Sequence, residues 1–173
     1  AISGVSSDHN TYYVGAASGG LFKTTNKGIS WKPIFDDQDV SSVSAIAVSQ
    51  KNPNILWAGT GETFLIRPAH AIGDGIYKSE DGGKTWKNMG LQKTARIAKI
   101  VIHPKNDKIV YVAALGHTFG PQEDRGIYKT TNGGKTWKKI LFIDQNTGGI
   151  DIALDRKNPN FLIASMWEIY INT

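Results

Sequence analysis

The chain contains no cysteine, which excludes disulfide frameworks, thiolate zinc sites and cysteine nucleophiles together. It also lacks a long apolar run, because the longest, from Ile109 to Leu115, has only the length of a strand. Segments with helical periodicity are absent too, and this disfavours helical repeat architectures. Glycine, by contrast, is abundant, with 19 in the 173 residues and no collagen-type period of three. This composition favours a β protein rich in turns.

The net charge is basic, but its pattern is not the one that nucleic-acid recognition requires. Twenty Lys and Arg against fifteen Asp and Glu give a formal charge of +5. Sixteen of the basic residues are lysines and only four are arginines, whereas base and phosphate recognition relies on arginine and on exposed aromatic rings. The lysines are scattered over strand ends and turns, where they also block unwanted sheet pairing. The pattern predicts a solubilising surface and no nucleic-acid partner.

A repeat of about fifty residues organises the chain. One signature aligns without gaps three times and always ends in tryptophan, at residues 23–31, 78–86 and 129–137. The three tryptophans, Trp31, Trp86 and Trp137, are 55 and then 51 residues apart. A second signature, an apolar strand followed by an Asn-containing turn, covers residues 46–59, 100–113 and 152–165. Each unit resolves into four short antiparallel strands, which is the unit of a β-propeller blade.

The predicted fold class is therefore all-β: an arc of four-stranded antiparallel blades, about three and a half blades of a larger propeller. The single partial domain, residues 1–173, divides into blades at about 1–36, 41–90 and 96–143, with an incomplete blade at about 149–173. Such an arc does not close a ring, and its open ends expose strand edges and apolar faces to water. We therefore expect further blades of the same larger protein to be partners of this segment.

The motif that ends each repeat carries a family resemblance. Residues 79–86, Ser-Glu-Asp-Gly-Gly-Lys-Thr-Trp, fit the Asp-box pattern S-x-D-x-G-x-T-W of BNR repeats, and the other two copies are near matches. From about Tyr12 to Ala164 the chain resembles large bacterial proteins with sortilin-like BNR propellers, often described as sortilin N-terminal-domain or glycosyl-hydrolase-like. The resemblance implies an extracellular or periplasmic location. It is specific for the fold but not for an activity, because Asp-boxes recur alike in sialidases, xyloglucan-degrading hydrolases, sorting receptors and photosystem assembly factors.

The Asp-box residues are predicted to be structural rather than catalytic. In a hairpin tip, an Asp or Asn oxygen accepts hydrogen bonds from turn amides, and the tryptophan can bury a large surface under the tip. Two of the three copies carry Asn at the acidic position, and Asn cannot act as a general acid or base. By resemblance, the boxes lie on the outer rim of a propeller, away from the binding face. The set comprises Thr24, Asn26, Gly28, Trp31, Ser79, Asp81, Gly83, Trp86, Thr130, Asn132, Gly134 and Trp137.

Two loops break the repeat. The connection between the second and third strands is short in the first unit, residues 16–20, but long at residues 60–74 and 114–125. Insertions into a repeat usually project on one face, and that face commonly binds ligands. The candidate ligand- or partner-binding residues are Glu62, Arg67, His70, His117 and Arg125.

The same loops carry the only weak candidates for catalysis, the carboxylates of Glu62, Asp74, Glu123 and Asp124. Glycosidic acid–base chemistry requires two carboxyl groups about 5–10 Å apart, one of them with a raised pKa. Loop ion pairs and turn caps are the competing interpretation. The four histidines, at positions 9, 70, 103 and 117, are not at metal-ligand spacing, and no metal or cofactor is predicted.

The preferred functional hypothesis is a non-enzymatic binding or scaffold module of an exported propeller protein. It would engage a protein, peptide or glycan through loops 60–74 and 114–125. The alternative is a polysaccharide-active glycoside hydrolase that uses the loop carboxylates, with part of its site in blades outside this chain. A third hypothesis is a scaffold in an extracellular or periplasmic complex that binds no small ligand.

Overall fold

A computed structural model describes residues 1–63 and 71–169 as strands, turns and loops with one short 3-10 helix, Gln92–Thr94. Sheet 1 contains β1 (Ile2–Val5), β2 (Asp8–Gly15), β3 (Leu21–Thr24) and β4 (Lys32–Pro33). Sheet 2 contains β5 (Val43–Val48), β6 (Leu56–Thr60), β7 (Ile76–Ser79) and β8 (Lys87–Asn88). Sheet 3 contains β9 (Ile97–Ile102), β10 (Val110–Ala114), β11 (Gly126–Thr130) and β12 (Lys138–Leu141). Sheet 4 contains β13 (Thr147–Leu154) and β14 (Leu162–Glu168).

Within each sheet the strands follow chain order and every pair is antiparallel. The first strands of neighbouring sheets, β1, β5, β9 and β13, pack against one another, and the fourth strands form the opposite edges. The predicted antiparallel blades are thus confirmed, with three complete sheets followed by a two-stranded one. Among the residues described, no helix is long and apolar enough to cross a membrane.

The core lies between the sheets rather than within one layer. The second strands β6 and β10 are buried at every residue, because a neighbouring sheet covers each of their faces. One apolar cluster joins sheets 1 and 2 around Leu21, Phe35 and Leu56. A second joins sheets 2 and 3 around Trp57 and Ile97, and a third joins sheets 3 and 4. The blades therefore obtain their burial from each other.

The loops between strands fall on two faces. We call one end of the sheets the loop face. There the connection between the second and third strands of a blade lies against the connection that leads to the next blade. There Gly73 N–H donates to Ala95 O at 2.7 Å, and Gln122 N–H donates to Gln145 O at 2.8 Å. At the other end, the Asp-box face, the Asp-box hairpins of sheets 2 and 3 each meet the turn between the first and second strands of their own sheet. Gly133 N–H donating to Lys108 O at 2.9 Å is one such contact.

The Asp-box of sheet 2 is closed by its own side chains. Ser79 Oγ donates to Asp81 Oδ1 at 2.8 Å and accepts from Gly83 N–H at 2.9 Å. The carboxylate of Asp81 also accepts from Lys84 N–H and from both the N–H and the hydroxyl of Thr85. These bonds satisfy amides of the hairpin tip that no neighbouring strand reaches.

The two Asn-containing boxes keep the same pattern with an amide. Asn132 Oδ1 accepts from Thr130 Oγ1 and Thr136 N–H, and Asn132 Nδ2 donates to Thr136 Oγ1 at 2.8 Å. Asn26 does the same with Thr24 and Ser30. In sheet 2 the hydroxyl of Thr85 donates to Asp81. In the two other boxes this one hydrogen bond has the opposite direction, because the amide nitrogen of Asn donates to the equivalent hydroxyl.

The box tryptophans connect neighbouring blades. Trp86 Nε1–H donates to Ile34 O of sheet 1's outer connection at 2.7 Å, and Trp137 Nε1–H donates to Met89 O at 2.8 Å. Trp86 and Trp137 are half-buried, whereas Trp31 is exposed. It is 41 % exposed, because the described residues include no sheet on that side of sheet 1.

The second glycine of the Asp-box is required both by the backbone conformation and by the packing at that position. Gly134 has φ +90°, and a Cβ there would lie 2.6 Å from Trp57 Cη2 and 3.1 Å from Met89 Cε. Gly120, in loop 114–125, has a similar φ of +75° but no atom within 4 Å of such a Cβ.

This pair of glycines separates strain from steric exclusion. We expect Gly134→Ala to lower the free energy of unfolding by about 2–4 kcal/mol, because it adds overpacking against Trp57 to the backbone cost. Gly120→Ala should cost only about 1 kcal/mol, since backbone strain acts alone there. Urea unfolding followed by tryptophan fluorescence measures both. Equal losses would contradict a close approach of the hairpin to the preceding sheet.

Asp81 predicts a pH dependence. The hydroxyl and N–H of Thr85 are the main hydrogen-bond donors that hold the pKa of Asp81 well below its usual range. The folded state therefore favours the ionised form, so the contribution of Asp81 is complete above about pH 4 and is lost as the pH falls below that value. Urea midpoints of wild type and Asp81→Asn should be close at pH 7, and wild type should lose more stability than Asp81→Asn at pH 3.

Asp81→Ala serves as the control, because alanine accepts no hydrogen bond at either pH. It should lower the urea midpoint at both pH values. An unchanged midpoint for Asp81→Ala at pH 7 would show that the hairpin does not depend on this carboxylate.

Candidate functional site

The two long loops lie side by side on the loop face. The described residues include 114–125 completely and loop 60–74 except residues 64–70. The candidates Arg67 and His70 lie outside the described residues. The other candidate binding and carboxylate residues, Glu62, Asp74, His117, Glu123, Asp124 and Arg125, can be placed.

A buried arginine that the sequence did not single out joins these loops. Arg96, at the entrance to β9, donates from Nε to Glu62 O at 2.7 Å and from Nη1 to Gly116 O at 3.2 Å. Its own carbonyl accepts from Leu115 N–H at 2.9 Å. One side chain therefore fixes loop 60–74 of sheet 2 against loop 114–125 of sheet 3.

The structure corrects the expectation that the side chain of Arg125 contacts a partner directly. Its side chain is fully buried, with 0 % exposure, inside the loop that it ends. Nη1 donates to Leu115 O and Asn146 O, and Nη2 donates to His117 O at 2.8 Å and to Gly120 O. Backbone carbonyls turn inward around the guanidinium, so Arg125 shapes loop 114–125 from inside instead of meeting solvent.

The electrostatics of the loop face follow from these two guanidinium groups. Burial lowers the pKa of Arg96, the Glu62 charge opposes that shift, and the Arg125 charge adds to it. Burial likewise lowers the pKa of Arg125, and the Asp144 charge opposes it. Arginine stays protonated nevertheless, because its ordinary pKa is far above neutrality. Two positive charges thus lie under the loops.

The carboxylate of Asp74 forms hydrogen bonds within its own blade. Asp74 accepts hydrogen bonds from the hydroxyls of Thr60 and Tyr77. Burial, and then the hydrogen bond to Asp74, raises the pKa of Tyr77 to about 12, so the phenol remains a donor at neutral pH. Asp74 is therefore part of the packing between β6 and β7.

The two acidic residues of loop 114–125 are placed differently. Glu123 is exposed; its carboxylate accepts from Gln145 Nε2 at 3.5 Å and its carbonyl accepts from Lys139 Nζ. Asp124 is half-buried and its carbonyl accepts from the hydroxyl of Tyr128 at 3.1 Å. The contacts with Lys139 on β12 and Tyr128 on β11 attach the loop to sheet 3.

His117 lies at the turn of loop 114–125. Its N–H donates to Gln122 Oε1 at 2.7 Å and its carbonyl accepts from Arg125, so its backbone is fixed while its ring is half-buried. Gln122 also donates from Nε2 to Lys93 O, which ties the loop to the connection between sheets 2 and 3. The described residues contain no group of three His, Cys, Asp or Glu that could hold a metal ion.

Sequence reasoning missed Arg96 and Gln122. The available signal was weak. Arg96 is one of only four arginines, and it directly precedes an apolar strand, where a buried charge would need a partner. Nothing in the sequence indicates that its partners are the carbonyls of Glu62 and Gly116, since those contacts arise from the packing of two blades.

Comparisons with known proteins agree with this architecture. The chain is 31% identical over 100 residues to a probable oligoxyloglucan-reducing end-specific xyloglucanase of Neosartorya fischeri, covering 55% of the chain and 10% of that protein. An ancestral GH74 enzyme matches with TM-score 0.72 and 26% identity, covering 98% of this chain and 22% of that one. A structure of YCF48 bound to D1 peptide matches with TM-score 0.57 and 17% identity, covering 84% and 41% of the two chains.

These likenesses confirm the predicted all-β propeller class, and the YCF48 likeness shows the fold alone. The chain spans about a tenth of the xyloglucanase and about a fifth of the ancestral GH74 enzyme. The sequence profile of the Sortilin-Vps10 family, described as sortilin, neurotensin receptor 3, matches residues 74–172. This match covers more than half of the chain, from the end of the first long loop through sheets 3 and 4. The chain therefore belongs to the Sortilin-Vps10 family, as its Asp-box repeats predicted.

Proposed function

We propose that this chain is a non-enzymatic binding segment of an exported propeller protein, and that its loop face holds a glycan, a peptide or a segment of another protein. The observation that carries the proposal is the Arg96 side chain, which bonds to both long loops. A surface fixed in advance binds with less loss of conformational entropy than one that must order on contact.

The two buried arginines hold the loops in one conformation, and this supports a role of the loop face in binding. Arg125 fills the interior of loop 114–125 with four hydrogen bonds to carbonyls. Arg96 then joins that loop to the neighbouring blade. A ligand placed across both loops would contact Glu62, His117 and Glu123 from blades 2 and 3, while the arginines below hold those residues in position.

The contacts of Asp74 favour binding over glycoside hydrolysis. Its carboxylate accepts hydrogen bonds from the hydroxyls of Thr60 and Tyr77 and so has a structural role between β6 and β7. An inverting or retaining pair instead needs two carboxylates facing one bond, one of them kept protonated. The hydrolase alternative is motivated by the likeness to the xyloglucanase. It requires that one carboxylate come from blades outside this chain.

Two further features belong to the proposal. An extracellular or periplasmic location agrees with a family of sorting receptors and with a relative whose named substrate is a polysaccharide. The apolar residues exposed at both ends of the arc, including Ile29 and Trp31 at one end and Ile143 and Ile163 at the other, are suited to contact neighbouring blades.

The proposal is tested with two probes on the full-length protein, xyloglucan oligosaccharides and a displayed random peptide library. We expect at least one probe to bind and xyloglucan to release no new reducing ends. Arg96→Met keeps the apolar stem but removes the donors to both loops, and it should weaken binding by about tenfold or more, since two hydrogen bonds to a charged group are lost. Calorimetry and a reducing-end assay give the two readouts.

Lys105→Met, in an exposed turn of the opposite face, is the matched control and should bind like wild type. The hydrolase alternative would be established if wild type released reducing ends from xyloglucan and one of four variants did not; these are Glu62→Gln, Asp74→Asn, Glu123→Gln and Asp124→Asn. Binding that Arg96→Met leaves unchanged, or no binding of either probe, would overturn the loop-face proposal.

A further inference from the structure

Two equivalent grooves run between neighbouring blades beside the Asp-boxes, remote from the loop face. Groove 2/3, with a volume of about 700 Å³, lies between sheet 2 and the Asp-box of sheet 3. Groove 1/2, about 650 Å³, lies between sheet 1 and the Asp-box of sheet 2. Equivalent positions of the repeat line both, so Trp86, Lys87 and Lys135 in groove 2/3 correspond to Trp31, Lys32 and Lys84 in groove 1/2.

The two grooves differ in charge although their shapes are alike. Groove 2/3 has four lysines and a single acid; these are Lys78, Lys87, Lys108, Lys135 and Glu80. Groove 1/2 has three lysines and two acids; these are Lys23, Lys32, Lys84, Asp36 and Asp37. The formal balance is therefore +3 in groove 2/3 and +1 in groove 1/2. Only the first is a strongly basic surface.

Three of the cations of groove 2/3 are available to a ligand. Lys78 is already used, since its Nζ lies 2.5 Å from Glu80 Oε1 and 5.5 Å from the centre of the Trp57 ring. Lys87 on β8, Lys108 in the turn before β10 and Lys135 in the Asp-box hairpin are exposed. Within the described part of the chain none of these three forms an ion pair. They come from three separate elements of two blades, and they converge on one groove.

The groove also contains a fixed aromatic ring. Trp86 is half-buried, its Nε1–H donates to Ile34 O at 2.7 Å, and its ring packs edge-on against Phe35 with centroids 5.2 Å apart. A ring held in this way can support the apolar face of a sugar without losing side-chain entropy on contact. Cationic side chains around one aromatic ring fit a ligand whose units combine an apolar face with a negative charge.

From these observations we propose that groove 2/3 binds an acidic polysaccharide, one whose sugar units carry carboxylates. The sugar ring packs against Trp86, and the carboxylates pair with Lys87, Lys108 and Lys135. Nucleic acid fits less well, because the groove contains no arginine for phosphate and one ring where successive bases need several. An acidic peptide fits less well too, since β8 has only two residues and offers no strand edge for pairing.

The probe for this proposal is a de-esterified oligogalacturonate of defined length, titrated into the full-length protein by calorimetry. Wild type should bind it with an affinity that falls as salt rises. Lys87→Ala combined with Lys135→Ala should weaken binding about tenfold, because two partly exposed ion pairs are lost. Both side chains are exposed, and among the described residues neither forms a hydrogen bond or an ion pair, so the double variant should keep the urea midpoint of wild type.

The repeat supplies the matched control. Lys32→Ala combined with Lys84→Ala removes the equivalent lysines of groove 1/2 and should change the affinity less than twofold. Equal loss in the two double variants, or equal binding of polyglutamate or oligo-dT to wild type, would show a general attraction of polyanions and overturn the proposal. Arg96→Met should leave oligogalacturonate binding unchanged, so failure of the loop-face proposal and failure of this one are distinguishable.

Discussion

An indole N–H that reaches the carbonyl of the preceding blade joins the Asp-box hairpins of sheets 2 and 3 to their neighbours. Trp86 makes this bond to the carbonyl of Ile34. Trp137, which follows Trp86 by 51 residues, makes it to the carbonyl of Met89. The bond forms only because the hairpin tip comes close to the sheet before it, and glycine permits that approach at Gly134. The side-chain hydrogen bonds within each Asp-box then hold the tip in the conformation that aims the indole. The repeat is therefore a motif for joining blades, and this explains why its acidic position accepts either Asp or Asn.

Both candidate binding surfaces depend on this joining of blades. On the loop face, Arg96 of blade 3 can hold the carbonyl of Glu62 only when blades 2 and 3 are in register. On the Asp-box face, the groove that brings Lys87 of blade 2 to Lys135 of blade 3 is the space left beside the same contact. Both candidate surfaces thus lie at boundaries between stacked blades, and a single blade contains neither. A substitution that weakens the cross-blade bond should accordingly disturb both surfaces, although it lies in neither.

The fold was predictable from the sequence to a greater extent than the site. The Trp period, the Gly-rich hairpin tips and the alternation in Val43–Val48 follow from local chemistry, and they specified antiparallel four-stranded units. The Asp-box hydrogen bonds follow likewise from residues within five positions of one another. The burial of Arg125 was not predictable, because a loop arginine is expected to be a surface charge until the carbonyls that surround it are known. Arg96 was missed for the same reason, since its partners belong to two different blades.

The exchange of the indole N–H protons with solvent tests the central claim most directly. In the full-length protein labelled with ¹⁵N-tryptophan, the Nε1–H signals of Trp86 and Trp137 should exchange about a hundredfold or more slowly than free indole. Their exchange requires the hairpin to separate from the preceding blade. Exchange of either signal at the rate of free indole, while backbone amides of β6 and β10 remain protected, would contradict the account. The blades would then be held together by apolar contacts alone.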